Sequence, residues 1–309
     1  MIKLDKKEVQ YLEINTEEEG SRLDNILLNL MKGVPRSKVY SIIRKGEVRV
    51  NKSRAKPSYR VKRGDLVRVP PHKAKQNKTL KAKGRTLEII ESSILEENTD
   101  YLILDKPTGI ASHGGSGISL GLIETIRQLN YKYKNAHLVH RLDKDTSGCM
   151  VVALKKNMLK KLQKELREQS VEKDYIAVVH GLWPKNLTKI TLRIEKKNTK
   201  SNERFVQISD TGKESTSLFK IISTKNENLT LLSIKIITGR THQIRVHTSS
   251  QNHPVIGDLK YGDNKINKLY KKRGLNRMML HSKSINFKNL GIFCNTEIPD
   301  DFYNLLEYE

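Results

Sequence analysis

The chain has two cysteines in 309 residues, Cys149 and Cys294, which excludes a disulfide scaffold and a cysteine-built zinc cluster and fits a reducing compartment. No apolar run approaches the roughly 18 residues that a membrane-spanning helix needs. The start, Met1-Ile2-Lys3-Leu4-Asp5-Lys6-Lys7, lacks the apolar stretch of a signal peptide. A cytoplasmic protein with no membrane partner is therefore expected. The glycine-rich segment His113-Gly114-Gly115-Ser116-Gly117 is not followed by Gly-Lys-Ser/Thr, so it is no P-loop and reads as a flexible loop. His140, His242, His247 and His253 stand at spacings that match no zinc signature, and no metal is expected. Acidic charge is also scarce. Asp and Glu number 34 against 58 Lys and Arg, a formal net charge of +24 that favours a polyanionic partner, nucleic acid by default. Lys outnumbers Arg 40 to 18, so a Lys-favouring coding bias accounts for part of the excess.

A chain of this length has room for a sizeable core and a second, smaller domain. Residues 1–71 carry a pattern of their own. Leu23, Ile26, Leu27, Leu30 and Met31 recur at helical spacing. Ser37 is placed to cap a second helix with Val39, Ile42 and Ile43 on its inner face, stopped by Gly46. Val48 and Val50 alternate with polar residues as in a strand, and Gly64-Asp65 turns into a returning strand through Val67 and Val69. The exposed charges predicted here, Arg36, Lys38, Arg44, Lys45 and Arg49, form a basic face suited to docking RNA phosphates. Residues 72–85 are polar, basic and aperiodic, and read as a flexible linker.

From residue 86 to 309, short apolar runs alternate with polar turns and interspersed helices. This predicts a mixed α+β domain rather than a doubly wound one. Two segments stand out. His140-Arg141-Leu142-Asp143-Lys144-Asp145-Thr146-Ser147-Gly148 leads into the apolar run Cys149–Leu154, which reads as a buried strand. The run Leu231–Ile237 ends in Thr238-Gly239-Arg240-Thr241-His242-Gln243-Ile244-Arg245-Val246-His247, in which Thr241 to Ser250 reads as a helix. Charged groups packed against core strands are costly unless they pair or do chemistry. One strand end brings carboxylates and the other guanidinium groups, and the two can share a cleft in which a fixed cation favours the charged form of an Asp. Asp143 and Asp145 both fit that description, and in strand geometry they would share a face.

The pattern Gly20-Ser21-Arg22-Leu23-Asp24, Pro35-Arg36-Ser37, Arg44 to Asn51 and Gly64-Asp65 resembles the S4 RNA-binding domain. Downstream, an ordered set of pieces covers nearly the whole remaining chain. It comprises Lys106-Pro107 with His113, His140 to Asp143 with Thr146-Ser147-Gly148, Lys173 with Tyr175, Gly212-Lys213 with Thr216, Thr238 to His247, His253-Pro254, Gly257-Asp258, Tyr261-Gly262 and Leu280-His281. Together they resemble the RNA pseudouridine synthases, in the branch acting on large-subunit ribosomal RNA. The resemblance implies a largely antiparallel mixed sheet with a central cleft behind a small α/β S4-like domain. It implies Asp143 as the nucleophile that isomerises uridine to pseudouridine after base flipping, with Arg240 as its salt-bridge partner. Tyr175 would stack on the flipped base and assist removal of the C5 proton. Lys106, Arg141, Lys173 and Arg245 are candidates to bind phosphate or to fix the carboxylate. No cofactor is expected. The expected partner is large-subunit ribosomal RNA, 23S, or its assembly intermediate, bound by a monomer. Two other readings are a pseudouridine synthase acting on transfer RNA and a non-catalytic RNA-binding assembly factor, the latter marked by loss of Asp143, Tyr175 or Arg240, all present here.

Overall fold

The structure, a computed structural model, describes residues 8–31, 33–72, 82, 84–115, 120–198, 204–225 and 228–307. They fall into two compact units, residues 1–79 and 80–309. Most of the stretch read as a linker, 73–81 and 83, lies outside the described residues, as do Ser116 and Gly117 of the glycine-rich segment.

The first unit contains β1 (Gln10–Glu13), α1 (Leu23–Leu30), α2 (Arg36–Arg44), β2 (Arg49–Val50), β3 (Ser53–Arg54) and β4 (Leu66–Val69). Its sheet runs β1-β4-β2-β3. Leu23, Ile26 and Leu27 of α1, Val39, Ile42 and Ile43 of α2, and Val50, Val67 and Val69 of the strands form one apolar core, as their spacing predicts. Ser37 is not the cap of α2. Pro35 holds that position, its carbonyl accepting from the Lys38 and Val39 N–H groups at 2.9 and 3.2 Å, so the helix starts one residue before Ser37. The Gly64-Asp65 turn is held by the buried Asp65 carboxylate, which accepts from Tyr59 Oη, Asn51 Nδ2 and the Lys62 N–H.

The second unit continues with α3 (Gly84–Ser92), β5 (Ile94–Glu97), β6 (Tyr101–Lys106), α4 (Leu122–Leu129), β7 (His137–Leu138), β8 (Ser147–Ala153), α5 (Lys156–Glu168) and β9 (Val171–His180). Then follow β10 (Lys189–Asn198), β11 (Arg204–Ile208), β12 (Lys213–Lys225), β13 (Leu229–Ile236), α6 (Gln243–Ser250), α7 (Asn264–Lys272), β14 (Leu280–Phe287), β15 (Ile292–Asn295) and α8 (Asp300–Glu307). The sheet path is β11-β10-β12-β13-β9-β14-β8-β6-β5, with β15 on β14 and β7 on β8. Among the described strands every pair is antiparallel except β8 with β14.

The continuous apolar run of β8 is explained by what covers it. Met150 and Val152 join Leu102 and Leu104 of β6 in a core beneath α3 and α4. Cys149, Val151 and Ala153 join Ile103, Leu162 of α5 and Ile285 of β14 on the opposite face. With both faces packed, the strand has no polar side, and every residue from Ser147 to Ala153 is buried.

The parallel pairing of β8 with β14 begins at His281 opposite Ser147 and Ser282 opposite Gly148. Gly148 has φ +108°, and a Cβ there would run into the Ser282 carbonyl oxygen. Gly148→Ala is therefore expected to cost about 2–3 kcal/mol from backbone strain and enforced strand separation. That corresponds to a fall of at least about 5 °C in the thermal midpoint, checked by calorimetry. An unchanged midpoint would show that the two strands yield freely.

Candidate active site

The segment from His140 to Thr146 crosses the end of the sheet as a loop before β8, and its backbone is pinned from three directions. Leu142 buries its side chain, and its N–H and C=O both bond the Ser112 hydroxyl, at 3.1 and 2.7 Å. Thr108 Oγ1 donates to the Asp145 carbonyl at 2.8 Å. Lys106, fully buried, donates to the carbonyls of Pro107, Ile110 and Lys144. Burial presses its pKa down to about 7, but three carbonyls match the three ammonium protons, so the loop is built around the charged form. His140 is neutral, its pKa pushed down to about 4 by burial, and its Nε2 accepts the Val151 N–H.

Fixed in this way, Asp143 presents its carboxylate to the first turns of α6. Arg245 Nη1 donates to Asp143 Oδ2 at 2.8 Å, while Arg245 Nε and Nη2 hold Asp258 as a fork, at 2.7 and 2.8 Å. Asp258 is buried and also accepts from the Lys260 and Tyr261 N–H groups through Oδ1. Burial disfavours both charges of the Arg245–Asp258 pair. Their mutual hydrogen bonds more than offset it, shifting Arg245 up and Asp258 down. The guanidinium also lies over the Tyr261 ring, 5.1 Å from its centroid. Asp143 thus receives a cation that is itself anchored from behind.

Gln243 fixes the start of α6. Its carbonyl oxygen accepts from Thr238 Oγ1 and the Arg240 N–H, and its amide donates to the Thr216 carbonyl and Ser217 Oγ. His247, one turn on, reaches Ser215 Oγ at 2.8 Å. Tyr175 on β9 and Leu280 on β14 complete a cleft of about 100 Å³ with Asp143, Arg141, Thr146, Ile236, the loop 239–242 and Arg245. Burial, with the Asp143 charge adding to it, pushes the Tyr175 phenol up to about 12. It stays a neutral, flat, partly apolar wall, suited to stacking and poorly suited to act as a base near neutral pH.

A family model described as RNA pseudouridylate synthase matches residues 100–250, and one described as S4 domain matches residues 21–67. The chain is 44% identical over 283 residues to ribosomal large subunit pseudouridine synthase C of Haemophilus ducreyi, covering 91% of this chain and 88% of that one. It is 40% identical to the Escherichia coli K12 protein of the same name, covering 94% and 92%. The chain belongs to the RNA pseudouridine synthase family. Among solved structures, human RNA pseudouridylate synthase domain containing 1 superposes with TM-score 0.56 at 26% identity, over 70% of this chain and 86% of that one. The mixed, mostly antiparallel fold is that of the family, and the N-terminal unit is an S4 domain.

Within the synthase, the ion-pair partner of Asp143 is Arg245 rather than Arg240. Arg240 precedes the helix, lies exposed at the rim, and donates Nε to the Glu214 carbonyl. Arg245 lies in the first turn of α6, and its side chain reaches the Asp143 carboxylate. Arg245 is therefore not available to phosphate, and neither is Lys106, whose ammonium is spent on three carbonyls. Asp145 is exposed and Asp143 half-buried, and the segment that carries them is a loop and not a strand. Arg141 is exposed with Nη1 3.4 Å from His113 Nε2, and Lys173 is half-buried on β9. Arg36, Lys38, Arg44, Lys45 and Arg49 are all exposed on the S4 domain. The supporting residues that sequence reasoning gave no role are Asp258 and Tyr261. Their signal was present in Gly257-Asp258 and Tyr261-Gly262, but nothing local links those pairs to Asp143. Among the described residues no group of three or more His, Cys, Asp or Glu side chains is arranged to hold a metal, and no helix is long and apolar enough to cross a membrane.

Proposed function

We propose that this synthase isomerises specific uridines of 23S ribosomal RNA to pseudouridine, with Asp143 as nucleophile. The observation that carries the reading is the Asp143 carboxylate, fixed by Arg245 in the cleft that Tyr175 lines, in a chain 40–44% identical to proteins named ribosomal large subunit pseudouridine synthase C. In the reaction the target nucleotide leaves its stack and enters the cleft. Asp143 attacks the nucleoside and forms a bond to it, the C1′–N1 glycosidic bond breaks, the base turns, a C1′–C5 bond forms and the bond to Asp143 breaks, which restores the carboxylate. The C5 proton is then lost and N1 gains one. Atoms and electrons balance within the nucleotide, so the chemistry asks for no external group. Tyr175 stacks on the turning base, while Arg141 and Arg240 at the cleft, with Lys173 on β9, serve the RNA backbone. Arg36, Lys38, Arg44, Lys45 and Arg49 give the S4 domain its docking face.

Mapping pseudouridines in total RNA from cells with and without the gene tests the substrate. Positions in 23S RNA should lose modification, whereas losses confined to transfer RNA would overturn the ribosomal assignment. Removing residues 1–79 should weaken binding to the same RNA and flatten its salt dependence, by roughly 0.7–0.9 in the log–log slope for each phosphate that is no longer neutralised. Single-turnover chemistry at saturating RNA should fall less than affinity. An unchanged slope would mean that the basic face of the S4 domain does not touch the substrate.

A further inference from the structure

Two side chains beside Asp143 have no part in that reaction as written. His242 stands immediately before α6 with φ +53° and ψ +20°, a left-handed conformation that costs a non-glycine residue about 1 kcal/mol and persists where the surroundings impose it. Its imidazole lies between Tyr261 and the nucleophile, with Nδ1 2.8 Å from Tyr261 Oη and Nε2 3.7 Å from Asp143 Oδ1. Tyr261 is fixed in turn. Its Oη accepts the Val206 N–H at 2.9 Å, its ring packs on Phe205 at 5.0 Å between centroids, and its face carries the Arg245 guanidinium.

The protons in this string can be assigned. Burial lowers the His242 pKa to about 4, so near neutral pH the ring is uncharged and holds one N–H. The Tyr261 oxygen receives the Val206 proton and has its own hydroxyl proton to give, and His242 Nδ1 is the acceptor at hydrogen-bond distance. The imidazole proton is then on Nε2, the nitrogen that faces the carboxylate. In the other tautomer a bare Nε2 lone pair would point at Asp143, and Nδ1–H would compete with Val206 for the phenol oxygen. Both changes are unfavourable.

We propose that His242 and Tyr261 are positioning residues for Asp143. The order Val206 N–H, Tyr261 O–H, His242 Nε2–H directs a donor at Oδ1, while Arg245 holds Oδ2. This rests on Asp143 being the nucleophile, and it names Oδ1 as the oxygen that attacks. At 3.7 Å the Nε2–H is beyond a formed hydrogen bond, and the donor acts on Oδ1 once that gap shortens in the complex with RNA. The imidazole then keeps Oδ1 turned into the cleft and receives the carboxylate again when the enzyme–nucleoside bond breaks.

The test combines a spectroscopic and a kinetic readout on the full-length protein. Nitrogen-15 NMR of the histidines should show His242 as the Nε2–H tautomer, with an Nδ1 that accepts a hydrogen bond and loses it in Tyr261→Phe. An Nδ1–H tautomer in the wild-type protein would overturn the proposal. His242→Leu and Tyr261→Phe should each lower the single-turnover rate by about tenfold or more with RNA affinity kept, the usual scale for one misplaced donor. His242→Gln, whose amide can again place an N–H near Oδ1, should recover part of that loss. Asp143→Asn is the separate control. If it stays active, the nucleophile assignment itself fails. If it is dead while His242→Leu turns over at the wild-type rate, only the positioning role fails. Equal losses in His242→Gln and His242→Leu would likewise overturn it, since the restored donor would then make no difference.

Discussion

Asp143→Asn should abolish pseudouridine formation, by at least about 10⁴-fold, while RNA affinity stays near the wild-type value. The amide keeps the shape of the carboxylate and cannot act as the proposed nucleophile. The fold should tolerate the change. Asp143 is the partly exposed member of its ion pair, with 26% of its side-chain surface accessible, and Arg245 keeps Asp258 as a fully buried counter-charge. Affinity should survive because phosphate contacts supply most of it. Release of tritium from C5-labelled uridine in RNA measures turnover directly. Wild-type release from this variant would remove Asp143 from the mechanism. Asp145→Asn, exposed and outside the ion-pair network, should release tritium normally.

Arg245 should be the second most sensitive position, and the conservative change should expose it. A lysine in its place keeps one charge but loses the planar group that serves Asp143 with one nitrogen and Asp258 with two. Arg245→Lys should lower the single-turnover rate by about 100-fold, or roughly 2.7 kcal/mol of transition-state positioning. Arg245→Met should also destabilise the catalytic unit by about 3–5 kcal/mol, because Asp258 would remain buried without its counter-ion. Arg240→Lys, at the rim, should change the rate by no more than a few-fold and act mainly on RNA affinity. Single-turnover rates and melting curves for the three variants separate these outcomes. A rate deficit in Arg240→Lys as large as in Arg245→Lys would return the positioning role to the rim arginine.

The different visibility of these residues in the sequence has a physical basis. The run Cys149–Ala153 was legible as a buried strand because a strand covered on both faces has no polar alternation to disguise it. The helices of the S4 domain were legible because Leu23, Ile26 and Leu27, and Val39, Ile42 and Ile43, place their apolar groups at the helical period. The cap of α2 lies two residues before Ser37, which is a good cap in isolation, because Pro35 supplies a carbonyl that needs no side chain.

The sequence by itself determined the composition of the site. It contained an Asp-bearing loop before a buried strand, an Arg-bearing helix after another, a tyrosine on a third, and a basic module in front. These are local facts, carried by residues within a few positions of one another. Only the tertiary structure decided who meets whom. Asp143 and Arg245 are 102 positions apart, and their contact depends on the sheet bringing the β8 and β13 ends together. Arg245, inside α6, then meets the carboxylate, while Arg240, ahead of the helix, bonds the Glu214 carbonyl instead. The same fold buries Lys106 against three carbonyls, which turns a cation expected at the RNA into one that holds the Asp143 loop. Charge and spacing show which groups are present. Burial and direction, which no local pattern records, assign their partners.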